Sequence, residues 1–444
     1  MSIQSLRIIL LLVTAGLLGG CKKDNGSGHS NNGVSLVLLG GNNQSGTYGE
    51  LLKDTIRLQL TITDSSFQYV VKYEIVQGNG KLENFGYNNS GYIPYNTGYQ
   101  GNMNLQWRLG CNSPAQTIKF YVYHAAVVNS LGQPTDGEKP LDSVMVTATG
   151  QPPTGWGRSC GFDMDDIFSF KIFTFDNTRL YAVSHGLFYS DDKGVNWYPL
   201  KDVPNFSDVM DAGFNSKGWL YYVTGSHGVY YSQDLVNWQS ISNGILDYRT
   251  PTAFTIDDSL VFVSFYFDGP YRTDNNGQFW KKMVVGNGSQ RFYFIRRHPN
   301  GSLYLFNDFN NLLVSSDNGD SWNSVGLAYQ YAPNINYDLE IDKDGTLYIG
   351  ADNATISAVT PGTYTGQVHS YYQWNGSSQA VNNIQFYNGD VYYLVNSTPT
   401  PGIYRKNNNW GGPIDLGFNQ TIRYYYIKND GNFLLVADAL YYKN

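Results

Sequence analysis

The stretch Ser190-Asp191-Asp192-Lys193-Gly194-Val195-Asn196-Trp197 decides the fold, because it returns as Ser315-Ser316-Asp317-Asn318-Gly319-Asp320-Ser321-Trp322. Both fit Ser-x-Asp-x-Gly-x-x-Trp in full. Thr273-Asp274-Asn275-Asn276-Gly277-Gln278-Phe279-Trp280 keeps the chemistry, and Ser232-Gln233-Asp234-Leu235-Val236-Asn237-Trp238 is one residue shorter. In such a segment the hydroxyl and the carboxylate bond within a tight hairpin, Gly takes a positive φ, and Trp packs beneath the turn. The four Trp follow one another at intervals of 41, 42 and 42 residues, the length of one four-stranded blade. Upstream of the boxes one strand recurs in a shared slot: Leu180-Tyr181-Ala182-Val183, Leu220-Tyr221-Tyr222-Val223, Leu303-Tyr304-Leu305-Phe306 and Leu347-Tyr348-Ile349-Gly350. Val261-Phe262-Val263, Val391-Tyr392-Tyr393-Leu394 and Phe433-Leu434-Leu435-Val436 are weaker members. Seven members predict a β-propeller of seven blades over residues 161–444, with six as the alternative count. The last member ends at Asn444 without a fourth strand, which residues near Trp156-Gly157-Arg158 could supply to close the ring.

The repeated segment resembles the Asp-box, or BNR repeat, of sialidase-like and sortilin-like propellers. Its Asp residues are expected to serve turns between third and fourth strands. The sialidase resemblance implies a glycosidase whose site has three Arg, a Tyr activated by a Glu, and an Asp acid/base. That set does not transfer, since between Gln151 and Asn444 the only Glu is Glu340. The nearest match to the family's Arg-Ile-Pro segment, Arg296-Arg297-His298-Pro299, falls in the fourth repeat instead of at the start. A glycosidase running on two Asp residues stays open, because it demands only separation and pKa.

Aligned repeats give an internal control. Six residues before Leu303 stands Arg297, in a column otherwise read as Phe175, Phe214, Ile256, Ile341, Phe386 and Ile427. One residue earlier, neighbouring repeats carry Arg296 and Glu340, a spacing that predicts an ion pair across a blade interface, structural in preference to ligand-binding. From Trp322 to Trp374 is 52 residues, about ten more than the repeat, and such insertions often build a binding face. Tyr371, Tyr372 and Trp374 in it are candidate binding residues with Arg296, Arg297 and Glu340, as are Tyr329 and Tyr331 in Ala328-Tyr329-Gln330-Tyr331-Ala332. No catalytic residue is assigned. His185-Gly186 and His227-Gly228 recur as Ser-His-Gly, which points to architecture, and Asp342-Lys343-Asp344-Gly345 lacks the remaining ligands of a calcium loop.

Before the repeats, residues 34–150 alternate in short strands: Ile56 to Ile62, Val70 to Val76, Ile118 to Tyr123 and Ser143 to Ala148. Period two with Gly, Asn and Asp breaks predicts a β-sandwich. Gly78-Asn79-Gly80-Lys81-Leu82 and Asn104-Leu105-Gln106-Trp107-Arg108-Leu109-Gly110 resemble bacterial Ig-like domains of the invasin type, which implies a spacer with Trp107 in its core. Residues 151–160, with Gln151-Pro152-Pro153-Thr154-Gly155, read as a linker.

The chain opens with Arg7, an apolar run from Ile8 to Leu18, and Leu18-Gly19-Gly20-Cys21. Eleven apolar residues are too few to span a bilayer and read as a secretory signal over residues 1–20. The last four residues resemble a bacterial lipobox, which implies a lipid anchor on Cys21. Residues 21–33 are polar and rich in Gly, Ser and Asn, a flexible tether, and Lys22-Lys23-Asp24 resembles the surface-export signals of Bacteroidetes lipoproteins. Export places Cys111 and Cys160 in an oxidising compartment, favouring a disulfide between them over two free thiols. No His accompanies either at zinc spacing, so neither metal nor cofactor is expected. The whole chain is 444 residues with 37 Tyr, 23 Phe and 48 Gly and a net charge of -7, an all-β composition with no basic footprint for nucleic acid. The expected role is a lipoprotein of the outer membrane, exposed at the cell surface, whose propeller binds a glycan or a protein without catalysis. A glycoside hydrolase with a divergent site is the alternative, and an assembly factor a third reading.

Overall fold

The computed structural model describes residues 33–64, 66–83, 90–93, 101–125, 139–161, 170–246, 249–257, 260–266, 268–285, 292–307, 311–325, 336–351, 355–370, 381–396, 401–406 and 413–443. Among them no helix is long and apolar enough to cross a membrane. Cys21, Tyr329, Tyr331, Tyr371, Tyr372 and Trp374 lie outside the described residues.

The first unit is a β-sandwich. Val34–Gly40, Ile56–Ile62 and Gly101–Leu105 form one sheet, while Gln44–Thr47, Asp142–Gln151, Ala115–His124, Tyr69–Gln77 and Ser90–Ile93 form the other. Burial alternates along Ile56–Ile62, with Ile56, Leu58 and Leu60 inward and Arg57 and Gln59 outward, as a half-buried strand requires. These inward residues meet Val71, Tyr73, Phe120 and Val122 of the second sheet in one core, which also encloses Trp107 completely.

The second unit is a β-propeller. Six four-stranded sheets and one three-stranded sheet follow in chain order among the described residues. Each seam between consecutive sheets has its own apolar core. Tyr181 and Val183 pack on Ala212 and Leu220, Tyr221 and Val223 on Phe254 and Val261, and Phe262 on Ile295 and Leu303. The series continues through Tyr304 against Leu339 and Leu347, Tyr348 against Ile384 and Val391, and Tyr392 against Tyr425 and Leu435. Ile172 and Leu180 of the first sheet share a core with Leu434, Leu440 and Tyr442 of the last, so the series closes on itself. The last sheet takes its outer strand from the other end of the unit: Trp156–Arg158 pairs antiparallel with Leu440–Lys443, Trp156 opposite Lys443 and Arg158 opposite Tyr441.

In four of the sheets the third and fourth strands are joined by the turn segments that the sequence repeats. Ser190 Oγ donates to Asp192 Oδ1 (2.9 Å) and accepts from Gly194 N (2.9 Å), Asp192 Oδ1 accepts from Asn196 N (2.8 Å), and Trp197 Nε1 donates to the Gly194 carbonyl (3.1 Å). Ser315, Asp317, Gly319 and Trp322 repeat this set, with Ser321 N donating to Asp317 Oδ1 at 2.9 Å. Thr273 and Asn275 do the same with Gly277 and Phe279, although the Trp280 indole bonds to the Ile241 carbonyl of the neighbouring sheet. In the short copy Ser232 and Asp234 keep their bonds, but the Gly is missing. Leu235 keeps the left-handed backbone (φ 63°) that Lys193, Asn276 and Asn318 have at the same position, and Trp238 Nε1 has no partner among the described residues. Deleting one residue removed the carbonyl that two of the other copies offer to the indole.

A disulfide joins Cys111 of the sandwich to Cys160 of the propeller. Around it, Cys160 N donates to the Val195 carbonyl (2.9 Å) and Trp197 N to the Cys160 carbonyl (2.8 Å). Asn79 of the sandwich accepts from Cys111 N (2.7 Å) and donates to Asn196 (2.7 Å), which itself donates to Asp192 (2.6 Å). A continuous polar chain thus runs from the sandwich into the first turn segment.

Candidate functional site

Each propeller sheet begins with an innermost strand whose register is fixed against the slot strand described above. The pairs Phe214–Leu220, Ile256–Val261, Arg297–Leu303, Ile341–Leu347, Phe386–Val391 and Ile427–Phe433 define one column. The first repeat corrects the sequence reading, because Thr174, not Phe175, lies opposite Leu180. Strand pairing stops at Thr174, and Phe175 falls in the hairpin loop, 47% exposed.

Side chains one and three residues before this column share a face, since strand side chains alternate. Around the ring the nearer row reads Phe173, Gly213, Thr255, Arg296, Glu340, Gln385 and Tyr426, and the farther row Lys171, Asp211, Ala253, Phe294, Asp338, Asn383 and Tyr424. The first five of these strands border a cavity of about 620 Å³ inside the ring, lined among others by Lys171, Phe173, Asp211, Phe294, Arg296 and Glu340. That volume falls within the ~300–1,000 Å³ usual for small-ligand pockets.

Two ion pairs organise the charge. Arg296 donates from Nε (2.9 Å) and Nη2 (2.6 Å) to the same Glu340 oxygen, Oε1, across the seam between fourth and fifth sheets, and from Nη1 to its own neighbour's carbonyl at Ile295 (2.9 Å). Burial works against the Arg296 charge, but Glu340 and, more weakly, Asp338 and Asp211 outweigh it and hold its pKa above the ordinary value. Lys171 Nζ reaches Asp211 Oδ1 (2.9 Å) and the Ala212 carbonyl (3.0 Å) on the next sheet. Each pair spans a seam, so each also fixes neighbouring inner strands against one another.

Asp338 is different. It is buried, and its two oxygens accept backbone amides from Leu339 (2.9 Å) and from Ile384 on the following sheet (2.7 Å). Burial, reinforced by Glu340 on the same strand, pushes its carboxyl up to about 7. Accepting one amide on each oxygen makes it a bracket between sheets, and it is not among the residues lining the cavity.

Arg297 points out of the channel. It pairs with Asp257 of the preceding sheet, donates to the Gly301 carbonyl (2.7 Å), and approaches Asn318 of a turn segment. Its place in an apolar column is therefore explained by a carboxylate on the neighbouring hairpin. Lys171 and Asp211 escape the column comparison because they stand three residues upstream of it, where the repeats vary freely. A search with period two along the same strand would have found them. Elsewhere, His227 Nδ1 meets Asp208 Oδ2 (2.8 Å), which also takes the Ser226 hydroxyl (2.7 Å), so this histidine braces a loop. Asp342 Oδ1 accepts the amides of Asp344 (2.9 Å) and Thr346 (2.8 Å), the bonding of a hairpin turn.

No protein-family model matches the chain, and no curated protein does. Among solved structures it is similar to the extracellular domain of a hybrid two-component system from B. thetaiotaomicron, at 13% identity and a TM-score of 0.51 over 66% of this chain and 42% of that one. The extracellular domain of a one-component system from the same organism gives 11% identity and 0.51 over 74% and 50%. A GH74 xyloglucanase from Xanthomonas campestris gives 14% identity and 0.50 over 65% and 53%. The chain thus spans half or less of the length of the two B. thetaiotaomicron structures. The likeness is one of fold, a β-propeller.

Proposed function

We propose that the chain is a cell-envelope lipoprotein, held by lipid on Cys21, whose Ig-like stalk presents a non-catalytic seven-bladed Asp-box propeller to a glycan or protein ligand at the cell surface. In this reading residues 21–33 are the tether, 34–150 the stalk and 161–444 the propeller. The observation that carries it is the cavity, which combines aromatic walls with four charges tied into two pairs. Such a lining binds and orients. Extracellular sensor domains with this fold are compatible with the placement.

The alternative, a divergent sialidase-like hydrolase, needs two carboxyls facing a glycosidic bond, roughly 5–9.5 Å apart, one of them holding its proton near neutral pH. Asp338 holds its proton, but amides occupy both its oxygens and it does not line the cavity. Glu340 and Asp211 line the cavity, yet each serves a cation. Glycan-array binding and hydrolysis assays on the mature chain distinguish the two. Binding without turnover is expected. Hydrolysis abolished by Glu340→Gln or Asp211→Asn would overturn the reading.

A further inference from the structure

The lining of the cavity specifies a ligand more narrowly than its volume does. Among the described residues its charged lining is two cations, Lys171 and Arg296, and two anions, Asp211 and Glu340, each cation bonded to one oxygen of one anion. Among the described residues, Glu340 Oε2 and Asp211 Oδ2 accept no hydrogen bond, and the two carboxylate side chains are only 26% and 31% exposed. A ligand with a net negative charge would add a third anion to this balanced, half-buried set with no further cation to offset it, and burying such an excess is costly. A ligand with a net positive charge does the converse. A neutral molecule rich in hydroxyls breaks neither pair, because its O–H groups donate to the two unused oxygens.

The rest of the wall mixes aromatic rings with small residues and three threonines, Thr174, Thr252 and Thr255. Phe173 and Phe294 stand half-buried in the lining, and Tyr293, 39% exposed, sits beside Phe294 on the same strand. Flat rings next to fixed acceptors suit a molecule with apolar C–H faces and a hydroxylated rim.

We propose that the cavity inside the ring binds a neutral carbohydrate, a short saccharide whose faces lie on Tyr293 and Phe294 and whose hydroxyls reach Glu340 and Asp211. This deepens the functional reading above and rests on it. The test is a glycan array followed by calorimetric titration with the mature chain, Cys21 to Asn444, in detergent. Neutral oligosaccharides are bound, and their Kd changes less than about twofold between about 50 and 500 mM NaCl, since no net charge is neutralised. Tyr293→Ala and Asp211→Asn each weaken binding about tenfold without displacing the folded circular dichroism spectrum, whereas Leu246→Ser, at a site 82% exposed and outside the cavity lining, leaves Kd unchanged. Preference for sialylated, uronic or sulfated glycans, affinity that collapses with salt, or indifference to the cavity variants overturns the proposal. Capture of a protein with no glycan bound at all overturns it while leaving the binding role intact. Turnover of a bound neutral glycan supports the ligand class and instead refutes the non-catalytic role.

Discussion

Replacing both Cys111 and Cys160 by Ala tests how the two units are coupled. The cysteines are 49 residues apart in sequence, and in the chain-entropy picture closing a loop of that length removes about 4 kcal/mol of freedom from the unfolded chain. A cooperative unit of about 400 residues shifts by roughly 1–2 °C per kcal/mol, so the melting temperature should fall by about 4–8 °C. The shape of the transition should change as well. The sandwich core and the propeller seams share no residue, and once the disulfide is gone the junction keeps polar bonds such as that between Asn79 and Asn196. The oxidised protein should unfold in one step and the variant in two. Urea titration followed by tryptophan fluorescence reads this, because Trp107 reports from the sandwich and Trp197 from the first propeller sheet, both fully buried. An unchanged midpoint, or a lower midpoint that stays a single step, would refute the argument that the bond welds two otherwise separate cores.

Trp197→Ala should cost about 3–5 kcal/mol in denaturant titrations, since that ring fills the seam where first and last sheets meet, whereas Trp238→Ala, a less buried indole whose Nε1 has no hydrogen-bond partner among the described residues, should cost clearly less. Asp338 has a folded pKa above its unfolded one, so its protonated form stabilises the fold at low pH and that contribution is lost as pH rises through about 7. The melting temperature of the parent should therefore drop between about pH 4 and pH 7 and level off above it, and Asp338→Asn should flatten that slope; an identical slope in the variant refutes the assignment. Asp317 works in the opposite sense. Hydrogen bonds from Ser321 and Ser315 hold its pKa below the ordinary value, so its contribution is present above about pH 4 and lost in acid. Asp317→Asn should reduce the loss of stability between pH 4 and pH 2, measured by circular dichroism at stepped pH.

The turn segments were legible because their chemistry is local: every partner of Ser190 and Asp192 within the box lies no more than four residues from it in sequence. The pairing of Arg296 with Glu340 needed one further step, the comparison of repeats, because those residues are 44 apart yet occupy the same position in successive sheets. Lys171, Asp211 and Asp338 were not legible. Their meaning depends on which strands border the channel and on a register that skips a residue near the start of several inner strands, as between Val209 and Asp211 and between Asn336 and Asp338. Likewise Arg297 looked anomalous until Asp257 came into view on a neighbouring hairpin. Residues that act across seams carry no local signature, and only the fold brings their columns together.

The strand that completes the last sheet, Trp156–Arg158, lies inside the loop that Cys111 and Cys160 close. Tension applied between the N-terminal end and the propeller travels from the sandwich to Cys111, crosses the sulfur bridge, and enters the first sheet at Cys160. The covalent path bypasses residues 112–159. The three-residue pairing that holds the ring shut, among the shortest in the propeller, is thereby relieved of mechanical load, and a pull on a bound ligand is resisted by covalent bonds and not by the closing strand.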